Sequence, residues 1–311
     1  LNSEAATKSG AAASPEAAAM DAFGPLSGRV AAYFELTKPR VLTMVLITTV
    51  AGFYMASGAD FDYLLVFKTL IGTALTAGGT LALNQYIERA YDAKMKRTRA
   101  RPLPSGRLHP LEALVFGVLT TIIGLLILWF AVNPLACAVT ATITVLYLGA
   151  YTPMKRYTWI CQIVGAVPGA LPPVIGWAAA RQSIGVEPIV LFAIMFLWQL
   201  PHSLSIARLY KEDYARAGIH LLPRERAGHN PADSLMIGAT IVLVLVGILP
   251  TLIGFAGVFY LATAIVLGAF MLYKGIKLVR AKADAAAARS VMMASLIYLP
   301  AVLLVMVLDK L

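Results

Sequence analysis

The chain of 311 residues carries 26 Lys and Arg against 16 Asp and Glu, a formal charge of +10, yet only 14% of it is charged and 59% is apolar. An ordinary soluble domain is roughly 45–50% apolar and roughly 25% charged, so a soluble globular fold is excluded. The charges are also segregated: Asp, Glu, Lys and Arg are absent from 41–59, 69–87, 113–154, 157–180, 188–207, 234–273 and 290–308, seven runs that total 183 residues.

Taken in chain order, residues 1–28 are rich in Ala, Ser and Gly without an apolar core, which predicts a disordered tail. No apolar h-region follows a basic start, so no cleavable signal peptide is expected. From Val30 to Arg40 apolar and charged residues mix as in an interfacial helix, whose length Pro39 limits. A helix crossing a bilayer needs about 20 apolar residues, so five of the uncharged runs supply one crossing each. The two long runs supply a pair each, with breaks at Asn133-Pro134 and around Gly254 to Gly257. The sequence therefore predicts an all-α polytopic membrane protein, one domain over 29–311. Its nine spans fall at about 41–59, 67–87, 112–132, 134–152, 159–180, 188–208, 234–253, 256–273 and 290–308.

With an odd number of crossings the termini face opposite sides. Alternate loops collect 23 of the 26 Lys and Arg on one side, leaving Lys68, Arg181 and Lys310 on the other. By the positive-inside rule the N-terminus is cytoplasmic and Leu311 outside. This asymmetry accounts for the net charge without a nucleic-acid partner. Cys137 and Cys161 lie within predicted spans and form no metal-binding pattern, so they read as buried packing residues.

The second span ends in Asn84, Glu88 and Asp92, spaced i, i+4 and i+8. Successive members turn by about 40° on an α-helix, so the three share one face. Like charges at that spacing repel, and oxygen donors without His or Cys point to a hard cation, magnesium rather than zinc. A solvated helix end neutralised by Arg89, Lys94 and Lys96 is the competing account. Next come Lys94, Lys96, Arg97, Arg99, Arg101 and Arg107, and Arg pairs bidentately with phosphate oxygens. A carboxylate face beside such a cluster suits a magnesium diphosphate; some of these cations also serve as topology signals toward anionic lipid. Lys155 and Arg156 form a further phosphate-sized pair. After the sixth span, Glu212 and Asp213 could serve a second metal or close the first site, with Lys211 on phosphate. His202 is an ionisable group inside an uncharged span, which makes it a functional candidate, although a histidine bonded to a neighbouring helix would look the same.

These residues stand in recognisable order: Thr37-Lys38-Pro39-Arg40, Asn84 to Pro102, Tyr151-Thr152-Pro153-Met154-Lys155-Arg156, Gly169 to Trp177, Pro201-His202, and Asp213-Tyr214 with Ala217-Gly218. From about Thr37 to Leu308 the chain closely resembles the protoheme IX farnesyltransferases, the haem O synthase branch of the UbiA-type intramembrane prenyltransferases. It departs from their pattern at Glu88 where Asp is usual, Cys161 where Asn is common, Ser203 after the His, and His220-Leu221 for Pro-Met. The resemblance implies a nine-helix bundle with a central cavity open to the cytoplasmic side and to lipid. It implies farnesyl transfer to a vinyl group of haem B, with water addition, giving haem O for oxidase biogenesis in a bacterial-type inner membrane. Asn84, Glu88, Asp92 and Asp213 would hold magnesium on farnesyl diphosphate. Lys96, Arg97, Arg101, Lys155, Arg156 and Lys211 would bind the diphosphate, and His202, with His220 in reserve, would ligate haem iron. Haem A synthase or an oxidase assembly factor would receive the product. An aromatic or quinone-precursor prenyltransferase of the same superfamily would share the diphosphate site, and a polyanion transporter would share the basic loops around a midplane cavity.

Overall fold

The computed structural model describes residues 26–58, 60–223, 230–281 and 284–311. Most of the predicted tail, residues 1–25, lies outside the described residues, as does His229, and a helix α1 (Leu26–Leu36) begins within the tail's predicted bounds. Among the described residues nine helices are long and apolar enough to cross a membrane: α2 (Pro39–Ala56), α3 (Tyr63–Asp92), α4 (Pro110–Val132), α5 (Pro134–Met154), α6 (Cys161–Arg181), α7 (Val186–Leu209), α9 (Pro231–Leu252), α10 (Val258–Arg280) and α11 (Ala285–Leu308). A short helix, α8 (Lys211–Arg216), follows α7. The protein is a multi-pass membrane protein. Side chains such as Phe130, Phe259 and Leu308, each more than 70% exposed, form the outer surface that lipid covers.

Each predicted break has a capping device. Asn133 accepts from the Ala136 amide at 2.8 Å and donates to the Ala178 and Ala179 carbonyls at 3.0 and 3.1 Å, so it starts α5 and ties it to α6. Gly254 takes φ +71° in the turn between α9 and α10, and the Asp309 carboxylate accepts from the Tyr260 amide at 2.8 Å. Thirty residues give α3 a length of about 45 Å, well beyond a hydrocarbon core of about 30 Å, so its last turns project with Glu88 and Asp92.

Small residues set the helix spacing. Gly79 faces the Gly117 carbonyl, 2.6 Å from where a Cβ would stand, and Gly124 faces that of Gly72 at the same distance, which lets α3 and α4 run backbone to backbone. Gly52 and Gly176 do the same for α2 and α6, facing the Pro173 and Thr49 carbonyls. With 67% of its apolar window buried, α6 is the central helix. The largest apolar cluster, with Trp177, Ile194, Tyr260 and Tyr298, joins it to α7, α10 and α11.

Candidate active site

The α1–α2 turn opens the site. Lys38 closes α1 with φ +49° and ψ +66°, the left-handed region, immediately before Pro39. That conformation costs a non-glycine residue about 1–2 kcal/mol and is further disfavoured ahead of proline. It is held because the Lys38 Nζ donates to Asn84 Oδ1 at 2.7 Å, while Gln85 on α3 donates to the Leu36 carbonyl at 2.9 Å. Burial, then Arg101, pushes the Lys38 ammonium down to about 7, against the pull of Glu88.

Asn84, Glu88 and Asp92 are all buried. Asn84 also donates to Thr152 Oγ1 at 3.1 Å, and Thr152 donates at 2.7 Å to the Tyr147 carbonyl five residues back. There α5 widens into a π-helical turn, Leu146–Tyr151, a departure often found at functional sites. Lys155 Nζ donates to both Glu88 oxygens at 2.9 and 3.2 Å, and Arg101 Nη1 to Asp92 Oδ2 at 2.7 Å. Glu88, Asp92, Arg101 and Lys155, with Arg97 and Arg156, line a cavity of about 220 Å³; Asn84, one turn back from Glu88, is not in its wall. Arg97 donates to the Tyr214 hydroxyl at 3.0 Å and packs over the Tyr210 ring; Arg156 lies 4.5 Å from the centre of the Tyr91 ring.

The other predicted groups are placed differently. The Asp213 carboxylate faces the loop after α3, accepting from the amides of Lys96 at 2.9 Å and Arg97 at 3.2 Å and pairing with Arg216. Burial raises its pKa, but hydrogen bonds from Arg216 and the two amides outweigh that and hold the carboxyl below its ordinary value. Asp213 thus anchors the arginine loop and does not line the cavity. Lys96, Lys211, Glu212 and His220 are exposed and off the cavity wall, because the amphipathic turns that carry them present their apolar neighbours Met95, Tyr214 and Ile219 inward instead. Among the described residues no three His, Cys, Asp or Glu converge as a metal cage. Two buried carboxylates one turn apart on a phosphate-sized cavity nevertheless fit magnesium, which takes one or two carboxylates and completes its shell from substrate phosphate and water.

A second cavity of about 380 Å³ lies deeper and is largely apolar, with Thr73, Thr76 and Thr80 of α3, Ile143 and Tyr147 of α5, Gly169 of α6 and Gln199, His202 and Ser203 of α7 in its wall. Val41, Tyr151 and Tyr214 line both cavities, so the two abut. Sequence reasoning missed Lys38 and these tyrosines as site residues, though Lys38, Tyr151 and Tyr214 all stand inside segments it had marked. Cys161 and Cys137 are buried and free, as packing residues.

The family model for the UbiA prenyltransferase family matches residues 45–297. The chain is 46% identical over 287 residues to a protoheme IX farnesyltransferase of Solibacter usitatus, covering 89% of this chain and 98% of that one. It is 40% identical over 288 residues to the protoheme IX farnesyltransferase of Koribacter versatilis, covering 89% and 93%. Among solved structures, a digeranylgeranylglyceryl phosphate synthase superposes with a TM-score of 0.76 at 18% identity, over 90% of this chain and 98% of that one. A UbiA homologue from Archaeoglobus fulgidus bound to DMAPP and Mg2+ superposes with a TM-score of 0.59 at 14% identity, over 88% and 99%; both likenesses are of fold.

Proposed function

We propose that this chain, which belongs to the UbiA prenyltransferase family, transfers a farnesyl group from farnesyl diphosphate to a vinyl group of haem B, giving haem O. It is a prenyltransferase, which sets the transporter reading aside, and the relatives favour haem over an aromatic acceptor. The observation that carries the reading is the pair of abutting cavities, one cationic and phosphate-sized, the other apolar. An allylic diphosphate has the same two halves.

In this reading the diphosphate lies among Arg97, Arg101, Lys155 and Arg156, which neutralise it as it leaves with the C1–O electron pair. Glu88 and Asp92, with Asn84 beside them, would hold magnesium, which would offset the charge gathering on the leaving group. Asp213 positions the arginine loop. The isoprenoid tail runs down α3; from Asn84 to Thr73 the helix rises about 16 Å, a depth suited to a few isoprene units. The Tyr151 ring, on both walls, faces the developing allylic cation. A new carbon–carbon bond forms to the vinyl terminus, and water adds at the neighbouring carbon and releases a proton. The apolar walls keep other water from the cation. His202, on the wall of the deep cavity, meets the haem iron, since His is a common axial ligand.

Incubation of the purified protein with haem B, farnesyl diphosphate and magnesium, followed by mass analysis of the extracted haem, tests the activity. The expected product is haem B plus farnesyl and hydroxyl; prenylation of a phenolic acid in its place would overturn the haem reading. The proposed setting is a bacterial-type cytoplasmic membrane with the diphosphate site inside, and the product passes to haem A synthase or an oxidase assembly factor. A reporter inserted near Gly106 is expected to be cytoplasmic and one after Leu311 external; the reverse would overturn the sidedness.

A further inference from the structure

On α7, Gln199, His202, Ser203 and Ile206 stand at i, i+3, i+4 and i+7 and together face the deep cavity. The His202 ring reaches α11, where its Nδ1 lies 2.8 Å from the Ser295 hydroxyl oxygen. Ser295 is fully buried, and its hydroxyl also lies 2.7 Å from the Met292 carbonyl. A carbonyl can only accept and a hydroxyl has one hydrogen, so that hydrogen goes to Met292 and the oxygen accepts from His202. The imidazole therefore carries its proton on Nδ1. In a neutral ring Nε2 is then a bare lone pair; the side chain lines the cavity, and among the described residues its Nε2 takes no hydrogen bond. Trp198 fixes the ring plane: its indole stacks on the imidazole with centroids 4.9 Å apart and planes 15° from parallel, and its Nε1 donates to the Ser295 carbonyl at 2.7 Å. One residue of α11 thus receives both side chains, its hydroxyl setting the tautomer and its main chain the stack.

We propose that Ser295 is a positioning residue for the haem substrate, holding His202 in the Nδ1–H form so that Nε2 is presented to the iron. This rests on the reading of His202 as the iron ligand. Outer partners of metal-binding histidines act in this way, and losing one typically weakens metal binding about 10–100-fold. Ser295→Ala removes the acceptor for His202 but keeps the carbonyl that holds Trp198, so the helix contact survives.

The test is the iron–histidine stretch in the resonance Raman spectrum of the purified, ferrous haem-loaded protein, read beside haem affinity and farnesyl diphosphate affinity. Ser295→Ala is expected to move the band to lower frequency, because an imidazole that donates no hydrogen bond is a weaker base. Haem should bind about tenfold more weakly, farnesyl diphosphate should bind unchanged, and Ser295→Thr should restore the band. A band that disappears in His202→Ala but stays unmoved in Ser295→Ala overturns the role of Ser295 and leaves the ligand standing. A wild-type spectrum without the band, or one that His202→Ala does not alter, overturns the ligand itself and this proposal with it.

Discussion

The charged and apolar cavities share three side chains and are built on opposite principles. In the charged one the polar groups already satisfy one another: Glu88 holds Lys155, Asp92 holds Arg101, and Asn84 holds Lys38. In the apolar one the polar groups are scattered and bond mostly within their own helices, as Thr76 does to the Gly72 carbonyl, and the buried Thr73 hydroxyl has no partner among the described residues. A paired buried carboxylate is costly to disturb, because removing either partner leaves an uncompensated charge. An unspent hydroxyl or amide in an apolar wall can change with little consequence for the protein alone. Substitutions in the first region should therefore act on chemistry strongly, and those in the second weakly and by substrate.

The largest effect is expected from Asp92→Asn. It removes a carboxylate from the proposed magnesium face and frees Arg101, and turnover should fall on the order of 10²-fold, the loss typical of one group that stabilises developing charge. The protein should remain folded and inserted but lose some stability, since Arg101 is left unpaired yet still reaches solvent. Full activity at limiting magnesium would erase the distinction between the cavities; Glu88→Asp should be mild beside it.

Asp213→Ala comes next and sharpens the assignment of the acids. If Asp213 anchors the arginine loop, losing its charge-assisted bonds, about 1.5–3 kcal/mol each, should raise the KM for farnesyl diphosphate about tenfold with a smaller change in kcat. The magnesium dependence should stay as it was. A shift in magnesium requirement would instead make Asp213 a direct ligand. Tyr151, on both walls, should behave by its ring: Tyr151→Phe near wild type, and Tyr151→Leu down about fivefold in kcat, within the range of a cation–π contact.

What the sequence made legible follows the same division. Charges in a hydrophobic chain stand out singly, so the α3 face, the arginine run and Lys155-Arg156 could be found by spacing, and the helix count by their absence elsewhere. The apolar cavity could not be found in that way, because its wall draws single residues from several spans, and Thr76 or Ile143 looks no different from a residue packed between helices. Ser295 gave no signal, since a serine in an apolar helix gains meaning only from the histidine across from it. Asp213 was legible only in part: its charge marked a site, but the amides of Lys96 and Arg97 that it accepts from are invisible in sequence. Lys38 was hidden by its turn, whose left-handed backbone aims an apparent topology signal at Asn84.

The smallest effect is expected at Gly169, and its direction tests the apolar side of the comparison. A Cβ there would run into the Gln199 side chain, whose nitrogen would stand 2.5 Å away and whose amide carbon 2.7 Å. The obstacle is the far end of a flexible side chain and not backbone, so the amide can swing aside into the cavity. Gly169→Ala should therefore leave the melting temperature nearly unchanged, within the ±0.5 kcal/mol or so of a substitution that breaks no buried feature. The displaced amide would enter the space next to His202, one turn along the same face of α7. Haem binding should weaken about twofold, the same 0.5 kcal/mol read as affinity, while the KM for farnesyl diphosphate should not move. Equal losses for both substrates would mean that the two share this stretch of wall. A loss confined to farnesyl diphosphate would place the tail, and not the porphyrin, against Gly169 and Gln199, and would move haem to the opposite wall, beside α3.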